Sequence, residues 1–504
     1  MTTLAEQECR RLGWAFTESF RNQYTITDLT QDAPEGWSSQ TLGNWRVSHC
    51  QNLPQTELTF SNGLVVGIVL GYAVSPEGMM LEGRHKLPIS TRSAASLAQA
   101  EKYVAQLAGR YVVLLCIGTS ARVYSDPVCS LGPVYDPVTR RLGASLALAL
   151  DRPLIDNPDV SANSVAAGEA CYLFGHTPDR DVKRALANHY IDLSDFSQRR
   201  HWPTEDMDFT LAGRKRHEVS LEIAAKLRLN MKALIERYPT ALPVTGGKDS
   251  RLLVAAASDM LDQISQFFVY HTNASNAVDS EIALEIAREM SFPLRVISRE
   301  SQRFKSGVSE ADHADHMTLR HLRGGFEPET VDTDRIKATQ MIPDRYLILR
   351  GNMADMAHAP HWQRPVFKDP HNTEFALGNL GVPTSASTAF CEKTQSAFLD
   401  WKESLPERAL PRIYDFLQTD VWLPHSNSAA YARETDHMFI NPFNDRHLLH
   451  LTASIPPFMR RNGRIVEDIV STYAKEIIDL DDTAERILRR QEPNAATSDL
   501  HKVG

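Results

Sequence analysis

Two adjacent glycines, two hydroxyls, a carboxylate and an ammonium fall within Thr245-Gly246-Gly247-Lys248-Asp249-Ser250. Glycine has no Cβ, so the backbone there can approach an anion closely. A short apolar run, Leu242 to Val244, precedes the six residues. Leu252, Leu253, Val254 and Ala255 to Ala257 follow in a helical pattern. A strand, a tight turn and a helix start are therefore expected. The N–H groups of the turn and of the first helical turn would face an anion, and the helix dipole adds to the attraction. Thr245 and Ser250 supply hydroxyl donors, and Asp249 a carboxylate for Mg²⁺, which neutralises phosphate charge. Lys248 could touch phosphate or face solvent. The phosphate loop G-x-x-x-x-G-K-[ST] is not present, because position 242 is Leu and Asp249 follows Lys248. The bland alternative is a plain strand–turn–helix link.

The surrounding pattern predicts the elements that hold this loop. From about Arg214, strands alternate with helices. Helices are expected at His217 to Tyr238, 248 to 259 and Asp279 to Met290. Strands are expected at 242 to 244, Ile264 to His271, Pro293 to Ile297 and Arg345 to Leu349. That alternation implies a doubly wound parallel sheet, with ligands at the carboxyl ends of its strands. Thr245, His271 and Gly351 would then converge on one crevice. After residue 395 the chain reads as mostly helical. The first two hundred residues read as β-rich, with strands at Leu64 to Val74, Tyr111 to Ile117, Ala121 to Ser125 and Gly132 to Tyr135, and a hairpin turn over Asp136 to Leu142. Helices are expected at Ser93 to Leu107 and Val165 to Phe174, and a linker over Ser194 to Asp208. The domains are placed at 1–205 and 206–492, with a polar, disordered tail at 493–504.

The chain of 504 residues carries a net charge of −9, which argues against a broad nucleic-acid-binding face. The longest apolar runs are too short to span a bilayer, and the first residues have acids and no apolar signal core. Six cysteines are scattered with no CxxC, so a zinc or iron–sulfur site is not suggested. Free thiols in a reducing cytoplasm are the simplest account. Homodimerisation stays open.

The six-residue loop resembles the pyrophosphate loop S-G-G-x-D-S of the ATP pyrophosphatases, with Thr245 for the first Ser. The order of the pieces is similar to the asparagine synthetase family and its relatives, the β-lactam synthetases and lasso-peptide cyclases. Gly67-Ile68-Val69-Leu70-Gly71-Tyr72, Ala108-Gly109-Arg110-Tyr111 and Val123-Tyr124-Ser125-Asp126-Pro127 match the N-terminal part. Leu349-Arg350-Gly351-Asn352-Met353-Ala354-Asp355 stands where that family has S-G-x-G-x-D-E, and Asn441-Pro442-Phe443-Asn444-Asp445-Arg446 resembles its P-F-L-D-R. The resemblance implies an α/β protein with an amidotransferase-like (Ntn-type) β-sandwich before a PP-loop domain with a helical C-terminal part. It implies an ATP-dependent, AMP-forming ligase that activates a carboxylate of a small molecule or peptide as an acyl-adenylate for attack by an amine. By position, Asp249 and Asp355 match the Mg²⁺-binding carboxylates. Thr245, Gly246, Gly247 and Ser250 match the pyrophosphate cradle. Val269 to Thr272, including His271, match the adenine and ribose segment, with Gly351 beside it.

The departures refine that picture. Glutamine-hydrolysing members expose an N-terminal Cys before their first strand, whereas here Thr2 follows Met1 and helical residues come next. A scaffold domain without glutaminase activity is expected. The family's Glu after Asp355 is Met356, and Arg350 either holds a phosphate or carboxylate or is structural. The stretch matching the β-lactam synthetases' lysine has Arg489 and Arg490. Arginine stabilises charge but does not readily shuttle a proton. His358 and His361 follow Asp355, and His358 suits a base for the incoming amine. His313, His316 and His321 with Asp312 and Asp315 fit no zinc signature, so a solvated segment is expected. His425, Tyr431 and Glu434 precede Asn441, where the family shapes its acceptor site; Glu434 could instead pair with Arg433. Two further readings stay open: a tRNA-thiolation-type enzyme, which would need reactive cysteines and a basic face, and a nucleotide-binding pseudoenzyme.

Overall fold

The computed structural model describes residues 2–89, 94–271, 275–298, 318, 322–323, 341–362, 372–382, 386–428, 437–483 and 485–487. It is a mixed α/β structure with two antiparallel-rich sheets followed by a parallel one. The N-terminal half carries strands β1 (Tyr24–Asp28), β2 (Ser38–Leu42), β3 (Trp45–His49), β4 (Gln55–Thr59), β5 (Val65–Val74), β6 (Gly83–Lys86), β7 (Ala108–Ile117) and β8 (Ser120–Ser125). It continues with β9 (Val134–Asp136), β10 (Arg141–Gly143), β11 (Lys183–Arg184), β12 (His189–Asp192) and β13 (Ser197–Arg200). One sheet has the order β11-β9-β10-β1-β3-β2 and the other β13-β12-β8-β7-β5-β4-β6.

Two-residue periodicity places alternate side chains of β5 and β7 on opposite faces. Ile68, Leu70, Val112 and Leu114 join Ile26, Val47 and Leu142 of the other sheet in one buried cluster. Val69, Val113 and Leu115 face the other way and pack with Ala100, Val104 and Leu107 on and just beyond the Ala94–Ala105 helix. Residues 2–12 form a capping box, Thr3 with Glu6, and a helix, Leu4–Leu12; the first strand begins only at Tyr24.

The C-terminal half adds β14 (Thr240–Pro243), β15 (Gln266–His271), β16 (Leu294–Ser298), β17 (Leu347–Leu349) and β18 (Met438–Ile440). Their order is β16-β15-β14-β17-β18, and every neighbouring pair is parallel. The helices Arg216–Arg237, Lys248–Ala256 and Ser275–Glu289 fall close to the expected spans. Leu252, Leu253 and Val254 are buried in the same cluster as Ile223, Leu227, Ile465 and Ile469. No helix among the described residues is long and apolar enough to cross a membrane.

The expected helix over Val165 to Phe174 is not formed. A short helix, Ala162–Ala166, ends where Gly168 takes φ +71, and Phe174 takes φ +50. Apolar content without helical period misleads there. The expected linker over Ser194 to Asp208 is likewise structured. Its Ser197–Arg200 segment is β13, paired with β12, and Trp202 is buried against Phe416. Strand β18, inside a stretch expected to be helical, closes one edge of the parallel sheet.

A buried polar network joins the two halves through Asn444 to Arg446. Asn444 Nδ2 donates to Gly109 O at 2.7 Å and to Asp126 Oδ1 at 2.8 Å, and Gly109 N–H donates back to Asn444 O at 2.9 Å. An added Cβ on Gly109, at φ +111, would lie 2.2 Å from Tyr72 O, so only glycine serves there. The Arg446 guanidinium donates to Asn188 Oδ1 at 2.8 Å, Ser125 O at 3.0 Å and Tyr111 Oη at 3.3 Å. Asn188 in turn donates to Asp420, which also accepts from Arg200 and Trp401.

Candidate functional site

Strand β14 aims the glycine turn. Val244 N–H donates to Phe268 O at 2.9 Å, so the register with β15 continues past the strand end. The chain then turns through Thr245 to Gly247 into the Lys248–Ala256 helix. Ser250 braces the turn: its Oγ accepts Thr245 N–H at 3.1 Å and lies within donating distance of Thr245 O (2.8 Å) and Gly247 O (3.0 Å). Gly247 N–H donates to Thr245 Oγ1 at 3.3 Å. Gly246 N–H donates to Asp279 Oδ1 at 3.2 Å, and that oxygen also accepts from Thr483 Oγ1 at 2.5 Å. The turn thus already holds an anion of the protein itself, the Asp279 carboxylate, beside a helix N-terminus. Gly247 has φ −73, and neither glycine takes a left-handed backbone. Glycine at 246 is required by close approach, since an added Cβ would lie 2.4 Å from Thr483 Oγ1 and 2.8 Å from Ile282 Cδ1.

The carboxyl ends of β14, β15 and β17 surround a cavity of about 310 Å³. Thr245, Asp249 and Ser250 line it from the turn, and Val269 and Tyr270 from β15. Asn276 lines it from the Ser275–Glu289 helix, and Arg350, Gly351 and Asn352 from the end of β17. Gly351 lets the segment after β17 pack on the turn's helix, because an added Cβ would stand 3.1 Å from Asp249 Cβ.

Asp355 lies in a helical turn, Ala354–His358, next to this wall. Burial pushes the Asp355 carboxyl pKa up, the neighbouring charge of Asp249 and a hydrogen bond with it push the same way, and His358 pulls it down, leaving it at about 7. His358 Nε2 lies 2.8 Å from Asp249 Oδ1. Two carboxylates held together form a hard oxygen donor set of the kind Mg²⁺ takes up together with phosphate oxygens. Among the described residues no group of three or more His, Cys, Asp or Glu side chains is arranged to hold a metal by itself.

The structure therefore brings together Thr245, Asp249, Ser250, Val269, Arg350 and Gly351 at the cavity, with Asp355 and His358 joined to Asp249. Gly246 and Gly247 shape the turn. Lys248 and exposed His271 do not line the cavity; Lys248 Nζ instead donates to Asn462 O at 3.0 Å and lies 3.4 Å from the Asp482 carboxylate. His361 bonds Gln418, Met356 is buried, and His425 packs on Trp422. Asp312, His313, Asp315, His316, His321, Thr272, Tyr431, Arg433, Glu434, Arg489, Arg490 and the tail at 493–504 lie outside the described residues. Sequence reasoning gave no role to Asn276 or Asn352. Both follow the carboxyl end of a parallel strand, which was the available signal.

No protein-family model matches the chain, and no curated protein does. Among solved structures, it is similar to the U34-tRNA thiolase NcsA from Methanococcus maripaludis with its [4Fe-4S] cluster, at 12% identity over 40% of this chain and 79% of that one, with a TM-score of 0.19. At that level the likeness carries no argument about the chemistry of this chain.

Proposed function

We propose that the chain is an ATP-dependent, AMP-forming carbon–nitrogen ligase, similar to the asparagine synthetase family. In this reading an Ntn-type sandwich without glutaminase activity precedes a PP-loop domain. The carrying observation is the Asp249–Asp355 carboxylate pair beside a glycine turn, at a cavity formed by the carboxyl ends of three parallel strands. The substrate carboxylate would attack the α-phosphate of ATP, and an amine would then displace AMP from the acyl-adenylate. Mg²⁺, held by Asp249 and Asp355, would neutralise phosphate charge. Thr245 and Ser250 offer hydroxyls, and Arg350 a fixed positive charge at the cavity wall, so much of the work is positioning and charge stabilisation. His358 is the proposed proton acceptor for the amine.

The thiolation reading is less well supported, because no cysteine lines the cavity. Burial also pushes the Cys116, Cys129 and Cys171 thiols up to about 12, away from thiolate reactivity. The test is exchange of labelled pyrophosphate into ATP against a panel of carboxylates. Exchange that Asp249→Ala abolishes without unfolding is the expected result. Exchange unchanged in that variant, or none with any carboxylate, overturns the reading.

A further inference from the structure

We propose that the seam between the two halves holds a second binding site, for a small zwitterion with an aromatic body, of which a free aromatic amino acid is the simplest form. The site stands apart from the nucleotide reading. It is a cavity of about 600 Å³, within the ordinary range for small-molecule sites. It opens at the amino ends of the parallel strands: Tyr238 and Pro239 precede β14, Leu347 begins β17 and Met438 begins β18. Tyr72 of β5 and Pro54, just before β4, close it from the antiparallel half. The nucleotide cavity lies at the carboxyl ends of β14 and β17, and the two share no lining residue.

Three features of the lining select the ligand. The inner wall is apolar and aromatic. Tyr72, Leu347 and Met438 are at most 8% exposed, and the Tyr72 and Tyr238 rings meet edge-on with centroids 5.1 Å apart, an arrangement that a further ring extends. That wall carries one polar group in search of a partner. The Tyr238 hydroxyl donates to Glu82, whereas the Tyr72 hydroxyl has no hydrogen bond among the described residues. Burial pushes the Tyr72 pKa up to about 12, so the hydroxyl stays a donor at neutral pH. A buried hydroxyl without a partner costs free energy, and a polar atom on the ligand body removes that cost. At the rim, charge comes in both signs. Arg21 already faces Glu18. The consecutive side chains of Asp344 and Arg345 are exposed and have neither an ion pair nor a hydrogen bond among the described residues. A lone anion leaves the carboxylate unmatched, and a lone cation the guanidinium. An ammonium and a carboxylate on one carbon match both.

The test is calorimetry on the full chain with four probes: L-tyrosine, tyramine, which lacks the carboxylate, 3-(4-hydroxyphenyl)propionate, which lacks the ammonium, and L-glutamine, which lacks the ring. L-Tyrosine is expected to bind, and each of the others at least about fivefold more weakly. Arg345→Gln should weaken L-tyrosine about tenfold, as for a lost hydrogen bond to a charged group, and leave tyramine unchanged. Tyr72→Phe should weaken L-tyrosine about fivefold while the thermal midpoint of the free chain stays level or rises, because the hydroxyl gives up no partner in the protein. Absence of L-tyrosine binding overturns the proposal. So does equal binding of tyramine, the propionate or L-glutamine, or L-tyrosine affinity unchanged in either variant. A Tyr72→Phe chain with a lowered midpoint also overturns it, since the hydroxyl would then serve the fold. None of these outcomes bears on pyrophosphate exchange, so the nucleotide reading stands or falls separately.

Discussion

Two hexapeptides of this chain look alike as sequence and differ as structure. Thr245 to Ser250 and Asn441 to Arg446 both follow within two residues of the end of a parallel strand and both carry several polar and charged side chains. The first lies at a cavity: Thr245, Gly247, Lys248 and Asp249 are partly exposed, and Asp279 supplies the anion that one of its amides holds. The second is sealed. Asn444, Asp445 and Arg446 are at most 1% exposed; the side chains of Asn444 and Arg446 bond to the antiparallel half, and Asp445 accepts from Asn230 of the Arg216–Arg237 helix. A motif rich in chemistry-bearing side chains is thus not by itself a site. What separates the two is where the polar atoms end: facing a volume a ligand can enter, or satisfied inside the protein.

The sharpest break of that contrast is Arg446→Ala. It removes the hydrogen bonds that Asn188 Oδ1, Ser125 O and Tyr111 Oη accept from the guanidinium, while Asn188 keeps Asp420 and Tyr111 keeps Leu107 O. At about 1.5–3 kcal/mol for each hydrogen bond to a charged group, a loss of about 3 kcal/mol or more is expected. Chemical denaturation followed by fluorescence measures it, and a midpoint within error of the unaltered chain would show that the junction is dispensable. Arg446→Lys should recover little, because an ammonium cannot reproduce the planar fork.

Next is pH. Burial holds His189 down at about 4, with the Arg200 charge adding, and it pushes His201 well below its ordinary value, with Arg446 adding. Both folded-state values lie below the ordinary 6.5, so the unfolded chain binds these protons more readily. The stabilisation they contribute is complete above about pH 6.5 and is lost as the pH falls through the window toward 4. The slope is up to about 1.4 kcal/mol per unit for each histidine. His189→Gln should flatten the acid limb of a stability–pH curve. An unchanged limb would mean that other groups carry the acid response.

At the cavity the corresponding break is Gly246→Ala. Its methyl group would press on Thr483 Oγ1 and Ile282 Cδ1, at a cost of about 1–3 kcal/mol for overpacking. It should also shift the segment Asp481 to Thr483 from the turn. The double variant with Thr483→Ala should regain part of that stability. If it regains none, the clash lies with Ile282 alone.

Much of the parallel half was legible because its inner strands are largely buried and read as apolar runs. Leu242 to Val244 and Ile264 to His271 coincide with β14 and β15 to within two residues at either end. Strand β18 was hidden because three residues carry no period, and β2, with Ser38, Ser39, Gln40 and Thr41, because exposed polar residues conceal its pairing. The carboxylate pair was legible only through the family resemblance. Nothing in the spacing of Asp249 and Asp355 says that β14 and β17 are neighbours; the fold alone brings them together.

The smallest expected effect belongs to Lys248, the most phosphate-like residue of the loop by type and the one the structure turns elsewhere. Its side chain is about one-third exposed, and its partners are the carbonyl of Asn462 and the Asp482 carboxylate in the C-terminal segment. A pair that open to solvent is worth about 1 kcal/mol or less. Lys248→Met keeps the length and apolar stem of the side chain and removes only the charge. It should lower the denaturation midpoint by that small amount. Its effect on Mg·ATP affinity should fall well short of that of Asp249→Ala, because Lys248 does not line the cavity. A loss of affinity as large as that of Asp249→Ala would show that the side chain leaves Asp482 when phosphate arrives. Lys248 would then belong with Thr245 and Ser250, and the boundary drawn here between cavity and support would have to move by one residue.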